Sequence, residues 1–183
     1  MKLAVIYGGG RREGNTRYLT ERIIAGMKVD RMELDAHHIL PVIDGRHAAE
    51  GFPSVQDDYD GLMRRVMEAD ILLFATPIYW YSMTAAMKLF IDRWSQTMRD
   101  PAFRDFRTKM AEKQAYVVAV GGDSPRTKGL PMIQQFQHIF DFVGLPFASY
   151  LIGEANKPGE ITTDKQALYQ ADLWNKTFKQ ILK

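Results

Sequence analysis

Residues 8–16, Gly8-Gly9-Gly10-Arg11-Arg12-Glu13-Gly14-Asn15-Thr16, place glycines, two arginines, an amide and a hydroxyl directly behind the apolar run Leu3-Ala4-Val5-Ile6-Tyr7. An apolar strand feeding a glycine-rich turn that opens a helix builds an anion site from backbone alone. Glycine permits positive φ and close approach, and the first helical amides lie unpaired at the positive end of the helix dipole. A phosphate is the natural occupant. The spacing Gly9-x4-Gly14 followed by Asn15-Thr16 copies the P-loop, but Asn15 stands where that loop needs its phosphate-binding lysine. The dinucleotide fingerprint would require glycine at position 13, where the chain has Glu13. What remains is a loop of N–H and hydroxyl donors with Arg11 and Arg12 close by. It suits a terminal phosphomonoester held mainly by neutral hydrogen bonds; the competing reading is a turn that binds nothing.

Two further segments carry chemistry. Thr76-Pro77-Ile78-Tyr79-Trp80-Tyr81-Ser82 follows the apolar run 71–75 and leads into a helix that Ser82 is placed to cap. Gly121-Gly122-Asp123-Ser124-Pro125-Arg126 follows the run 115–120, and its adjacent glycines let main chain lie against a flat ligand. A phosphate loop, an aromatic loop and a glycine loop on one rim suit a planar ring joined to a phosphate tail. Flavin mononucleotide (FMN) is such a molecule.

The elements that must position these loops follow from hydrophobic periodicity. Strand-like runs at 2–7, 29–34, 71–75, 115–120 and 146–152 alternate with helical stripes. The stripes are Leu19, Ile23, Ile24 and Met27; Tyr59, Leu62, Met63, Val66 and Met67; Met83, Met87, Phe90, Ile91 and Trp94; Ile133, Phe136, Phe140 and Val143; and Leu168, Ala171, Trp174, Phe178 and Ile181. This alternation predicts an α/β domain over 1–183 with a doubly wound, five-stranded parallel sheet. Arg31 and Glu33 make the second run an edge strand. Ligands of such sheets bind where loops meet at the carboxyl ends of strands.

Composition narrows the function classes. At 183 residues and 46% hydrophobic, the chain can bury a full three-layer core. It has no cysteine, which excludes disulfides, thiolate catalysis and cysteine-held clusters and suits a reducing cytoplasm. No apolar stretch approaches the roughly 20 residues of a membrane span, and no leader precedes the first strand. A net charge of +2, with dispersed Lys and Arg, argues against a nucleic-acid surface. His37, His38 and His47 lie in a loop without a matching carboxylate pattern, which disfavours a metal site. Asp57-Asp58 reads as negative charge at the start of the second helix, and Asp92-Arg93 as a helix-end ion pair or an interface contact.

The segment Ile6–Thr16 resembles the first loop of the NADPH-dependent FMN reductases, a flavodoxin-like family. Ala69–Trp80, continuing through Ser82-Met83 to Lys88–Arg93, resembles that family's second signature. The resemblance implies a flavodoxin-like three-layer sandwich. It implies that the backbone from Gly9 through Gly10, with Arg11, Asn15 and Thr16, holds the FMN phosphate, and that Pro77, Ile78, Tyr79 and Trp80 line the isoalloxazine ring. Gly121, Gly122 and Asp123 would approach the ring's polar edge, although Asp123 can equally cap its own loop.

The family usually carries Ser-Pro where this chain has Gly9-Gly10, which removes one hydroxyl contact worth about 1 kcal/mol and implies a looser loop. Some relatives hold an iron–sulfur cluster after the second strand; residues 37–47 contain no cysteine for one. The implied activity is an FMN-dependent NAD(P)H oxidoreductase, with hydride transfer through flavin N5 to a small acceptor such as a quinone, a flavin, a nitro- or azo-aromatic or a metal chelate. No side-chain acid or base is required. A homodimer or homotetramer is implied, with the aromatic loop against a second subunit. Arg12 and Arg126 are candidates for a 2′-phosphate contact that would favour NADPH over NADH. The alternatives are a flavodoxin-type electron carrier, disfavoured by a pI near 8.8, and a flavodoxin-like scaffold without cofactor.

Overall fold

Side chains along a strand alternate in direction, and here both directions are dry. Leu3, Val5 and Tyr7 join one buried cluster, while Ala4 and Ile6 join another on the opposite face of the same sheet. The computed structural model describes residues 1–182. Its strands are β1 (Leu3–Tyr7), β2 (Asp30–Glu33), β3 (Ile71–Pro77), β4 (Gln114–Gly121) and β5 (Phe147–Glu154). They pair in parallel in the order β2-β1-β3-β4-β5, with β2 at an edge as Arg31 and Glu33 foretold.

The helices are α1 (Asn15–Ile23), α2 (Tyr59–Glu68), α3 (Ala85–Asp92), α4 (Trp94–Thr97), α5 (Phe106–Ala111), α6 (Pro125–Lys128), α7 (Leu130–Val143) and α8 (Lys165–Ile181). Leu19 and Ile23 of α1 and Ala167, Ala171 and Phe178 of α8 pack one face. Residues of α2, α3, α4, α5 and α7 pack the other. The result is the expected flavodoxin-like three-layer sandwich. Among the described residues no helix is long and apolar enough to cross a membrane.

The Met83–Trp94 stripe is interrupted rather than continuous. Thr84, not Ser82, caps α3 by accepting the Met87 N–H at 3.2 Å; Ser82 instead donates to Gln135 Oε1 at 2.9 Å. The helix then stops at Asp92 and restarts as α4. Asp92 and Arg93 do not pair with each other. Asp92 bonds Lys88 one turn back at 2.5 Å, whereas Arg93 is fully buried. Its Nη1 donates to Asp57 Oδ2 at 2.5 Å and to the Leu40 carbonyl at 3.0 Å, and its Nε to Gln96 Oε1 at 2.9 Å. The guanidinium also lies 4.4 Å from the Tyr59 ring centroid.

Asp57 therefore does more than charge the start of α2. It accepts the amides of Leu40 and Tyr59 and neutralises a buried arginine. Beside it, Asp58 N–H donates to the His38 carbonyl at 2.9 Å, and Asp58 Oδ2 accepts the His38 N–H at 2.7 Å. These bonds clasp the base of an excursion over 37–58 that contains neither helix nor strand.

Burial pushes the Asp57 carboxyl up, but the Arg93 guanidinium and the two backbone amides outweigh it and hold the group below its ordinary range. Arg93→Met strands the Asp57 charge and should cost about 3–5 kcal/mol in urea unfolding. A depressed folded pKa means that the stabilisation is complete above the unfolded pKa and fades as pH falls through the folded one. The stability gap between wild type and Asp57→Asn should thus be constant above about pH 5 and shrink below about pH 4. A gap undiminished at about pH 3 would mean that Asp57 acts through shape rather than charge.

Candidate functional site

After β1 the chain passes to α1 on one face of the sheet; after the adjacent β3 it passes to α3 on the other. Diverging connections from neighbouring parallel strands leave a crevice at their carboxyl ends. Three backbone bonds of 2.8 Å fasten the residue after one strand to the neighbouring strand there: Gly8 N–H to the Ala75 carbonyl, Ile78 N–H to that of Val120, and Ala155 N–H to that of Gly121. Thr84 Oγ1 adds a bond of 2.5 Å to the Gly8 carbonyl, tying the first loop to the cap of α3.

A cleft of about 200 Å³ opens on this rim. One end is formed by Gly9, Arg11 and the start of α1, Gly14 to Arg17; the other by Pro77, Ile78 and Tyr79 facing Gly121 and Gly122. The N-cap of α1 is Gly14, which supplies no side-chain cap, and no acidic residue occupies the first turn. The amides of Asn15, Thr16 and Arg17 therefore open the helix without an internal partner, and no carboxylate stands in that first turn to compete with an incoming anion. Arg17 stacks 4.7 Å from the Tyr7 ring centroid and bonds Glu33 at 2.8 Å. The Tyr7 hydroxyl donates to Glu21 Oε1 at 2.7 Å. Burial, reinforced by the Glu21 carboxylate, pushes that hydroxyl far above its ordinary range, so it stays protonated.

The glycines work through proximity alone. None of Gly8, Gly9, Gly10, Gly14, Gly121 or Gly122 has positive φ, contrary to the conformational freedom expected of the first loop. Instead, a Cβ on Gly9 would lie 2.8 Å from Pro77 Cδ, and one on Gly122 would lie 2.8 Å from Asn156 Cβ. Gly9 thus brings the first loop against the second.

Nine of the twelve site residues expected from sequence line this cleft: Gly9, Arg11, Asn15, Thr16, Pro77, Ile78, Tyr79, Gly121 and Gly122. Gly10 does not; it packs toward Asp35. Trp80 and Asp123 line an adjoining cleft of about 290 Å³, together with Tyr81 and Lys128. Asn15 is already engaged, its Nδ2 donating to the Lys157 carbonyl at 2.8 Å and its Oδ1 accepting the Ile161 N–H at 3.4 Å. Ala155, Asn156 and Pro158 form a fourth wall that the sequence reading missed. The turn-forming run Asn156-Lys157-Pro158-Gly159 behind the fifth strand was the available signal. Arg126 is committed to Asp164 at 2.5 Å and to Glu154 at 3.2 Å, so its charge is spent within the fold.

Backbone strain sits in the aromatic loop. Trp80 and Tyr81 have φ of 48° and 62°, each costing on the order of 1–3 kcal/mol. Trp80 projects at the tip, 95% exposed. The Tyr81 hydroxyl donates to Asp123 Oδ2 at 2.8 Å, and Lys128 Nζ lies 2.7 Å from both Asp123 oxygens. Lys128, then Tyr81, hold the Asp123 carboxyl below its ordinary range.

An uncapped helix start that shares one cleft with two strand-end backbones fits the donor set of a phosphate-tailed planar cofactor such as FMN. Fold and cleft together define a flavodoxin-like α/β protein. The chain belongs to the NADPH-dependent FMN reductase family, whose model matches residues 1–156. It is accordingly an NAD(P)H-dependent oxidoreductase with FMN as cofactor.

A Bacillus subtilis (strain 168) protein provisionally named NAD(P)H-dependent FMN-containing oxidoreductase YwqN is 55% identical over 171 residues, covering 93% of this chain and 94% of the relative. The solved structure of a protein described as the Trp repressor binding protein from Bacillus subtilis is 48% identical with a TM-score of 0.79, covering 93% of this chain and 96% of that one. An NAD(P)H:quinone oxidoreductase from Methanothermobacter marburgensis shares the fold, with a TM-score of 0.70 at 16% identity, covering 98% and 97%.

Asn15 offers a direct test of what its side chain is for. Asn15→Ala should lower the stability of the FMN-free protein by about 1–2 kcal/mol in urea unfolding, because the backbone groups of Lys157 and Ile161 lose their partner. Unchanged stability with weakened FMN binding would assign the amide to the phosphate instead.

Proposed function

We propose that the first cleft binds FMN with its phosphate on the amides that open α1, within reach of Gly9, Arg11, Asn15 and Thr16. The isoalloxazine ring would lie along the Pro77–Tyr79 backbone, with Gly121-Gly122 toward its polar edge. One observation carries this reading: the uncapped, acid-free start of α1 and the flat inter-loop slot share a single cleft. Bound FMN would supply the redox chemistry, accepting a hydride at N5 from NADPH or NADH and passing electrons to a small acceptor (a quinone, a flavin, a nitro- or azo-aromatic, or a metal chelate).

The chain's own contribution is binding and orientation. The three opening amides of α1 present N–H donors and partial positive charge to a dianion. No carboxylate or imidazole lines the first cleft among the described residues, and Tyr7 holds its proton. We assign no catalytic residue. The exposed Trp80 supports contact of the aromatic loop with a second copy, in a homodimer or homotetramer.

The test is anaerobic visible spectroscopy of the protein loaded with FMN. The oxidised-flavin band should bleach promptly on adding NADPH; a flavin that binds and stays oxidised would overturn the assigned donor reaction. Thr16→Glu, which places a carboxylate at the helix start, should weaken FMN binding by more than about tenfold. Unchanged affinity would move the phosphate elsewhere.

A further inference from the structure

Residues 79–82 form a two-residue turn in which Tyr79 N–H donates to the Ser82 carbonyl and Ser82 N–H to the Tyr79 carbonyl, both at 3.0 Å. With φ of 48° and 62° at its centre, the turn is of the kind that Asn-Gly adopts readily. Here the two central positions carry Trp80 and Tyr81, whose Cβ atoms oppose that backbone. Left to local preference, the segment would open. Something outside it must favour the left-handed form.

The Tyr81 hydroxyl reaches across to the 121–129 segment and donates to Asp123. Asp123 cannot swing away freely, because Lys128 at the end of α6 bonds both carboxylate oxygens. The Lys128 ammonium also lies 5.9 Å from the Tyr81 ring centroid, so the cation borders both partners of the bond. Ser124, next to Asp123, is itself at φ 43°, which bends the chain sharply where the carboxylate is presented. Both loops are thereby joined at their outer ends by side chains and at their inner ends by Ile78 N–H on the Val120 carbonyl. Between these two ties lies the slot formed by Ile78, Tyr79, Gly121 and Gly122.

We propose that Asp123 is a positioning residue: it latches the left-handed Trp80-Tyr81 turn through the Tyr81 hydroxyl and so holds Tyr79 in place at the wall of the cofactor slot, without itself touching the cofactor. This rests on the reading that the slot receives the FMN ring. The Asp123 carboxylate is taken up by Tyr81 and Lys128, and the residue lines the adjoining cleft, which meets the slot along Ile78, Gly121 and Gly122. Because the ion pair is half exposed, its strength is modest, and its effect is a bias between turn conformers rather than a clamp.

The test is a mutant cycle on the FMN-free protein with two readouts. Asp123→Ala should speed amide exchange at Tyr79 and Ser82 about fivefold and weaken FMN affinity, measured by flavin-fluorescence quenching, by a similar factor. Tyr81→Phe should reproduce both effects. In the double variant Trp80→Asn/Tyr81→Gly, whose turn needs no latch, adding Asp123→Ala should change neither readout. An equal loss of affinity in that background would overturn the proposal, since Asp123 would then act on the cofactor directly. Unchanged exchange in Asp123→Ala alone would overturn it as well. If the wild type itself fails to quench FMN, the assignment of the slot falls, while amide exchange still decides whether the latch exists.

Discussion

Parallel strands end on a common rim, and this sheet changes the direction of its connections between two strands that are neighbours on that rim. With β1 feeding α1 on one face and β3 feeding α3 on the other, no connection can cover the gap between them. The site depends on this reversal. It exposes the start of α1, brings the Pro77 backbone beside Gly9, and aligns β4 so that Gly121 follows directly behind Val120. The sheet's own hydrogen bonding continues into the loops for one residue each, which makes the floor of the cleft an extension of rigid structure.

Glycine and strain divide the labour on the rim in an unexpected way. The glycines of the first and third loops adopt ordinary backbone and are needed because neighbouring atoms, Pro77 Cδ at Gly9 and Asn156 Cβ at Gly122, come too close for a Cβ. Positive φ falls instead on Trp80, Tyr81 and Ser124, where it is costly. Strained backbone persists only when its surroundings over-determine it. Here the surroundings are specific: a hydroxyl on Tyr81, a carboxylate on Asp123 and an ammonium on Lys128, drawn from two loops that meet only in the folded chain.

Periodicity reports which positions are dry, and for that reason the sheet was legible. All five strands, the edge character of β2 and the buried stripes of the main helices could be read from apolar spacing. Spacing says nothing about partners far apart in sequence. Asp92 and Arg93 are adjacent and opposite in charge, yet Arg93 turns inward to Asp57, 36 positions away, because α3 ends between them and reorients the chain. Asn15 was legible as a cleft residue, but its engagement with Lys157 was not, since that contact requires the loop behind β5 to fold back over α1. Asp123 was legible as a rim residue, but its bonds to Lys128 and Tyr81 were not, for the same reason. Tyr81 is brought there by a backbone conformation that no propensity would assign to an aromatic pair.

The clasp between His38 and Asp58 has an evolutionary consequence. Because the excursion is closed at its base by one backbone bond and one bond to the Asp58 carboxylate, and anchored just inside by Asp57 with Leu40 and Arg93, the sheet senses its two feet and not its contour. Lengthening such a closed segment carries only a slow entropic cost, about 0.6 kcal/mol for each doubling. The stretch from Pro41 to Gln56 is therefore a site where insertions can accumulate, or whole segments be exchanged, without disturbing the rim. Diversity in this architecture can enter through a module seated on two pegs, while the rim stays under the strict geometry of the strands.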